Sequence, residues 1–450
     1  MGAVSSSSKS SMTLRQYLVV FGAMLCSLAD GYDLSVISFA LPHLPDGFAS
    51  TEVKGWLISA GLVGIGIGAV FVAPLADRWG RRPILLASVA LNMVAMVATA
   101  LAPNVEMMFG TRLLTGVAVG TIATLATLIA QEYAPPAKKN LATGFVMIGF
   151  PIGTIGGGVI GLSVVNAAGG AWQAFFWAGA VLTAVILVYT ALLVPESLSF
   201  LEAQGTPESK IKIGRIVNQL GLSQNDLYAE TQANAEVPGQ APNVSLLGKT
   251  FRKRSLLLWF GYSFLTAAYF FVASWTPQLI ADATGSADTG TTVGTLISVG
   301  GLAGGIVFGV IGIRLAASHL GWIFLAVAFV SQIYFALSMQ GAGAMIAAGV
   351  LGLAAYGAMT SYISAAPQLY PVQVRARGLG TMYGLSRFGS IVAPIVAGYA
   401  ITLVSSQTMY LAASLLFGIS CVIAFVLWRA TRLDAVYESA PVAETTEASA

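Results

Sequence analysis

The chain has 450 residues, of which 56% are hydrophobic and only 9% charged. A soluble globular domain carries about 25% charged residues, so this composition excludes one and describes a polytopic membrane protein. Two cysteines in apolar segments (Cys26, Cys421) give no disulfide framework, and His43 and His319 are too few and scattered for a ligand cluster, so no metal, cofactor or nucleic-acid site is expected.

In chain order, the first fourteen residues are Ser-rich with one lysine. They do not read as a cleavable signal, because a long apolar run and further spans follow. Twelve apolar segments of helical length come next, near 17–42, 53–76, 83–102, 107–133, 140–165, 171–194, 254–281, 290–315, 320–339, 342–367, 376–403 and 408–430. Their length and the lack of ten-residue alternation predict helices rather than barrel strands. The longest loop holds a polar, helix-compatible piece (Glu208 to Gln219) and a weak Pro/Gly/Asn stretch (Glu236 to Ser245). The expected organisation is an N-terminal tail (1–16), a six-helix bundle (17–194), a linker (195–253), a second six-helix bundle (254–430) and an Ala/Glu/Thr-rich tail (431–450) expected to be disordered.

All but three of the 22 Lys and Arg residues fall in the tails or in the even-to-odd loops. The exceptions are Lys54 in the first loop and Arg112 and Arg387 inside spans. The loops on the other face carry Asp46, Glu52, Glu106, Asp282 and Asp288. The positive-inside rule then puts both termini and the linker in the cytoplasm, as expected for a bacterial inner-membrane protein. The halves also repeat. Tyr133-Ala134-Pro135 after span four and Tyr370-Pro371 after span ten lie 237 residues apart, and the same shift maps Tyr32 onto Tyr269. Related six-helix bundles around a central site are one way to build alternating access.

Asp30 and Asp33 stand in the middle of span one. A carboxylate at that depth costs about 2.5–3.5 kcal/mol on insertion scales, and such a residue is a functional candidate by default. Three positions apart on a helix, the two share a face. Under the 237-residue shift they land near Ala267 and Phe270, so the acidic pair belongs to the first half alone. Either the pair couples transport to protons or it is a structural pair hydrogen-bonded to its neighbours. Gly31 between them would allow a local break and close approach of a substrate.

The second-to-third loop reads Ala73-Pro74-Leu75-Ala76-Asp77-Arg78-Trp79-Gly80-Arg81-Arg82-Pro83. It resembles the signature loop of the major facilitator superfamily, G-x-L-A-D-R-x-G-R-[RK], with Ala73 where the family usually has Gly. The resemblance implies an all-α membrane protein with twelve transmembrane helices in two pseudo-symmetric bundles. Asp77, Arg78, Gly80, Arg81 and Arg82, with Glu132 at the end of span four, are the expected gate residues, a latch on the inner side. The alternative is that the arginines only fix topology.

Further motifs are similar to those of the aromatic acid:H+ symporters of that superfamily. They are Asp30-Gly31-Tyr32-Asp33, Pro195-Glu196-Ser197 with Phe200-Leu201, Ser274-Trp275-Thr276-Pro277, and Leu369-Tyr370-Pro371 with Arg375, Ala376 and Gly378. The resemblance implies a transporter rather than an enzyme, an aromatic carboxylate and protons as partners, and a monomer in the bilayer. Export of drug-like compounds by antiport is the rival reading. The glycine run from Gly149 to Gly161 lacks the lysine and strand of a phosphate loop and reads as helix packing.

Two arginines complete the candidate site. Arg112, about five residues or roughly 8 Å into span four, can pair with Asp33 or anchor a carboxylate. Arg387, near mid-depth in span eleven, has no acid in the second half's spans to neutralise it. A guanidinium grips a carboxylate through two parallel bonds, so an anionic substrate is its expected partner. Tyr32, Tyr269, Phe270, Trp275, Tyr356 and Tyr362 are the expected aromatic walls, with packing roles as the alternative for each.

Overall fold

The structure is a computed structural model and describes residues 12–135, 138–220, 246–248, 251–339, 341–370 and 372–439. The expectations for residues 1–11, for the Glu236–Ser245 stretch and for residues 440–450 lie outside the described residues.

Twelve long helices follow one another: α1 (Leu14–Ala40), α2 (Thr51–Ile67), α3 (Arg81–Ala100), α4 (Val105–Tyr133), α5 (Lys139–Ala167), α6 (Gln173–Leu193), α7 (Arg252–Thr284), α8 (Ala287–Ile311), α9 (Ala317–Leu337), α10 (Ala342–Ala365), α11 (Val372–Ala400) and α12 (Ser406–Ser439). Each lies within a few residues of a span expected from the sequence, except that α12 runs on past 430 to Ser439. Among the described residues, eleven helices are long and apolar enough to cross a membrane. The twelfth is α11, whose Arg375, Arg377 and Arg387 lower its mean hydropathy. Short helices Leu198–Gln204 and Pro207–Leu220 follow α6, the second where the sequence has its polar helical piece.

Local chemistry sets the helix starts. Side chains of Thr13, Ser50, Asn104 and Ser286 cap α1, α2, α4 and α8 by accepting from N–H groups of the first turn. Beyond Ile67 the second span continues through a π turn (Gly68–Val72), a 3-10 turn (Ala73–Leu75) and a short helix (Ala76–Trp79). Gly80, at φ +102°, then turns the chain into α3. No side chain adopts that angle without strain.

Small residues set the packing. In the first half α2 and α4 approach so closely that a Cβ on Gly64, Gly68, Gly116 or Gly120 would overlap the other helix's backbone. In the second half α8 and α10 repeat this device with Gly300, Gly304 and Gly352. The glycine run of α5 packs on α1 at Gly149 and Gly153 and on α8 at Gly158. The halves meet chiefly along two pairs of helices, α2 with α11 and α5 with α8, with a smaller contact between α1 and α7. A six-helix shift exchanges these two pairs, as two pseudo-symmetric bundles require.

Candidate functional site

Helix α1 is unbroken through its two aspartates. Gly31 does not open it. A Cβ there would overlap the Phe150 carbonyl of α5, so this glycine serves close packing rather than a break. The two carboxylates, alike in sequence, have opposite surroundings. Asp33 is fully buried and forms a bidentate pair with Arg112 of α4: Nη1 donates to Oδ1 at 2.7 Å and Nη2 to Oδ2 at 3.0 Å, and Nη2 also reaches the Asp33 carbonyl at 3.1 Å. Both side chains are 1% exposed. Bidentate pairing of this kind is among the stronger charge-pair geometries, and here it is almost wholly buried.

Asp30, one turn earlier, is partly exposed, and its buried Oδ1 has no hydrogen-bond partner among the described residues. It lies within electrostatic reach of Arg387 in the second half and of Tyr356 of α10. Arg387 is exposed and makes no hydrogen bond or ion pair among the described residues. Its charge also acts on Tyr262 of α7 and Tyr383 of α11. Its charge therefore acts on groups of both halves while its side chain remains exposed.

Of the expected aromatic walls, the structure brings three together. Tyr269 packs edge-on against Phe270 (5.7 Å) and Tyr356 (6.4 Å), and all three are partly exposed. The other three are placed elsewhere. Tyr32 is buried within the first half, its hydroxyl donating to the Phe175 carbonyl at 2.7 Å. The Trp275 indole donates to the Pro394 carbonyl at 3.1 Å inside the second half, and the Tyr362 hydroxyl is buried against Ser420. Each amphipathic ring has found a local carbonyl, which pulls it into a bundle core and away from the centre. Tyr262 and Tyr383, beside Arg387, were not singled out in the sequence. Nothing in a lone tyrosine on an apolar helix marks it until the fold brings it to a charge.

The expected gate residues close within the first half. The Arg81 guanidinium pairs with Glu132 at the end of α4 and approaches Asp77 at 3.7 Å. Arg82 donates to the Ala191 and Val194 carbonyls at 2.6 and 2.8 Å, capping the end of α6. Arg78 is exposed and has no partner among the described residues. The sequence pointed to Glu196 only as part of a motif, yet one of its oxygens accepts three N–H groups, from Arg81, Arg82 and Ser197, at 2.9–3.0 Å. A Cβ at Gly80 would meet its other oxygen at 2.7 Å. These pairs brace one bundle at the face that bears the chain's N-terminal end. They lie within the first half and do not bridge the two bundles in this conformation.

The bonds that do join the halves sit at the opposite face. Lys54 donates to Gln278 (3.1 Å), Ser59 to the Ile391 carbonyl (2.8 Å) and Asn166 to Asp288 (3.3 Å), while His43 approaches Asp288 at 3.7 Å. Beneath them a cavity of about 40 Å³, lined in part by Arg112, Phe150, Tyr269, Phe270 and Ser298, has room for water but not for an aromatic ring. His43 and Asp288 were unremarkable in sequence because their meeting depends on how the halves are docked.

Twelve helices in two bundles, small-residue seams and charges at the centre define a membrane carrier. A family model described as the Major Facilitator Superfamily matches residues 23–340, and the chain belongs to that superfamily as a membrane transporter. It is 29% identical over 392 residues to a gallate transporter of Pseudomonas putida, a match covering 86% of each chain. It is 28% identical to the 4-hydroxybenzoate transporter PcaK of Pseudomonas aeruginosa over 84% of each chain. The 3-(3-hydroxy-phenyl)propionate transporter of Escherichia coli is 28% identical, over 91% of this chain and 93% of that one. Among solved structures, the xylose transporter XylE of E. coli in its inward open conformation superposes with a TM-score of 0.71 at 15% identity, covering 92% of this chain and 96% of that one.

Proposed function

We propose that this chain imports an aromatic carboxylate of the benzoate or hydroxybenzoate kind together with protons, by alternating access across a bacterial inner membrane, with both termini in the cytoplasm. The observation that carries the reading is that two opposite charges from the two halves, Asp30 and Arg387, lie within electrostatic reach of each other and neither has a hydrogen bond or ion pair among the described residues, with Tyr356 also in reach of Asp30 and Tyr269 packed on Tyr356 and Phe270. A guanidinium with no hydrogen-bond or ion-pair partner among the described residues suits a carboxylate, and edge-on rings at 5.7–6.4 Å suit the face and edge of an aromatic ring. The named relatives that carry aromatic acids support the same substrate class.

The roles divide as follows. Asp30 takes up and releases the coupling proton, because it has no fixed partner to hold its charge. Asp33 and Arg112 form a standing brace that keeps α1 and α4 in register. The anion sits against Arg387. An inside-negative membrane potential opposes anion entry by about 2.3 kcal/mol per charge per 100 mV, so at least one proton must accompany it to cancel that work. The halves are bonded at the face away from the termini, which is the state that releases cargo inward. Opening to the other side breaks the Lys54, Ser59 and Asp288 contacts.

The test is uptake of radiolabelled 4-hydroxybenzoate into proteoliposomes under an imposed pH gradient, alongside benzoate, gallate, cinnamate, xylose and an amino acid as competitors. Accumulation driven by outside-acid medium, blocked by aromatic acids but not by xylose or the amino acid, is expected. Efflux driven by the same gradient would show antiport instead, and indifference to the aromatic acids would remove the substrate assignment.

A further inference from the structure

A large cavity lies far from the centre, at the face that bears the N-terminal end. It measures about 610 Å³, is open to the surface and is bounded by the start of α1, the end of α6 and the helix Pro207–Leu220. Four cations line it: Arg15, Arg82, Lys212 and Arg215. Arg82 is occupied by the carbonyls at the end of α6. Arg15, Lys212 and Arg215 are exposed and make no hydrogen bond or ion pair among the described residues. The one acid in the wall is Glu196, whose carboxylate is already committed to three backbone N–H groups. The cavity is therefore a concave surface with surplus positive charge.

Its other wall is apolar and leads into the membrane. Leu192 and Leu193 line the cavity and are 77% and 40% exposed. Leu192 ends a stripe on α6 whose other members, Val181, Val185 and Val188, are 65%, 61% and 59% exposed. That spacing is one helix face, and a largely exposed valine–leucine face on a spanning helix is a face turned to lipid. The helix Pro207–Leu220 roofs the cavity. It buries Val217 and packs Ile213 and Ile216 onto the first bundle, and it presents Lys212 and Arg215 to the cavity.

We propose that this cavity binds the phosphate headgroup of an anionic glycerophospholipid, with its acyl chains along the Val181–Leu192 stripe. Basic pockets at a membrane boundary recognise such headgroups through their charge. The apolar stripe that runs out of this one distinguishes a lipid from a free anion. Bound there, the lipid ties the helix Pro207–Leu220 to the first bundle.

The test uses the purified full-length chain in detergent micelles and follows its thermal unfolding by intrinsic fluorescence. Dioctanoyl phosphatidylglycerol, dioctanoyl phosphatidylcholine and inorganic phosphate are added separately. Phosphatidylglycerol is expected to raise the unfolding midpoint by about 3 °C, an effect that shrinks in high salt, while the other two leave it in place. The double variant Lys212→Gln/Arg215→Gln is expected to lose the gain and to melt like the unaltered chain without lipid. Arg252→Gln/Lys253→Gln, two exposed cations at the start of α7, is expected to keep it. Equal shifts from both lipids, or a shift reproduced by phosphate alone, would overturn the proposal on the unaltered protein, whatever the variants do. Retention of the full gain by Lys212→Gln/Arg215→Gln would overturn it as well.

Discussion

The two halves share a helical plan and differ in how they keep charge. In the first, Arg112 is 1% exposed and locked bidentate onto Asp33. In the second, Arg387 is exposed and unbonded among the described residues. The glycine seams α2–α4 and α8–α10 are near copies, so the scaffold is common to both halves and the polar chemistry is not. A buried charge with a fixed partner holds structure together. An exposed charge left without one is available to bind something else.

The sharpest way to break this contrast is to remove Arg112. Arg112→Ala leaves the Asp33 carboxylate buried without compensation, a change of about 3–5 kcal/mol, which is much of a protein's net stability. The expected outcome is loss of a folded, monodisperse peak in size-exclusion chromatography, with a partial rescue in Asp33→Asn/Arg112→Gln. A single variant that melts like the unaltered chain would mean that the pair is not a brace.

Arg387→Ala should do the reverse. Its side chain contributes no described bond to the fold, so the unfolding midpoint should stay near that of the unaltered chain. Binding of 4-hydroxybenzoate, followed by quenching of intrinsic fluorescence, should weaken about ten- to a hundredfold, the worth of a charge-assisted bond pair. Unchanged affinity would place the anion's anchor elsewhere. Asp30→Asn should separate the steps further. Binding should remain within about threefold, and exchange of labelled for unlabelled substrate should persist, while accumulation under an imposed pH gradient disappears. Gradient-driven uptake that survives in Asp30→Asn would move the proton site to another group.

Much of this was legible in the sequence, for identifiable reasons. Span number and boundaries follow from hydropathy, because a bilayer demands long apolar helices. The Asp33–Arg112 pair could be expected from two charges at matching depth. Which aspartate stays free could not, since Asp30 and Asp33 differ only in what α4 and α11 bring near them. The same limit explains Tyr32, Trp275 and Tyr362. Their types suit a ligand wall, but each found a backbone carbonyl or a serine within its own bundle. For the gate charges, Arg81 and Glu132 reveal their chemistry in sequence but not that their pair lies wholly within one bundle.

The smallest expected effect concerns the two faces of the molecule. The pairs at the face bearing the N-terminal end lie inside one half, whereas Asp288 at the other face reaches across to Asn166 at 3.3 Å and to His43 at 3.7 Å. Asp288 is 54% exposed, so solvent screens these contacts and their worth is small. They are nonetheless among the bonds that must break for the opposite face to open. Asp288→Asn should therefore leave folding untouched and shift the balance of conformations slightly toward the open side. A cysteine introduced by Ser298→Cys, in the narrow cavity beneath the contacts, reports on that balance. Its labelling by a membrane-impermeant maleimide should quicken about twofold when Asp288→Asn is added. Glu106→Gln, at the same face but on the first turn of α4 and outside the inter-half contacts, should leave the rate unchanged. Equal rates in all three proteins would show that the Asp288 contacts are incidental and that the Lys54 and Ser59 bonds with the close packing at Gly55 and Gly158 hold that face shut.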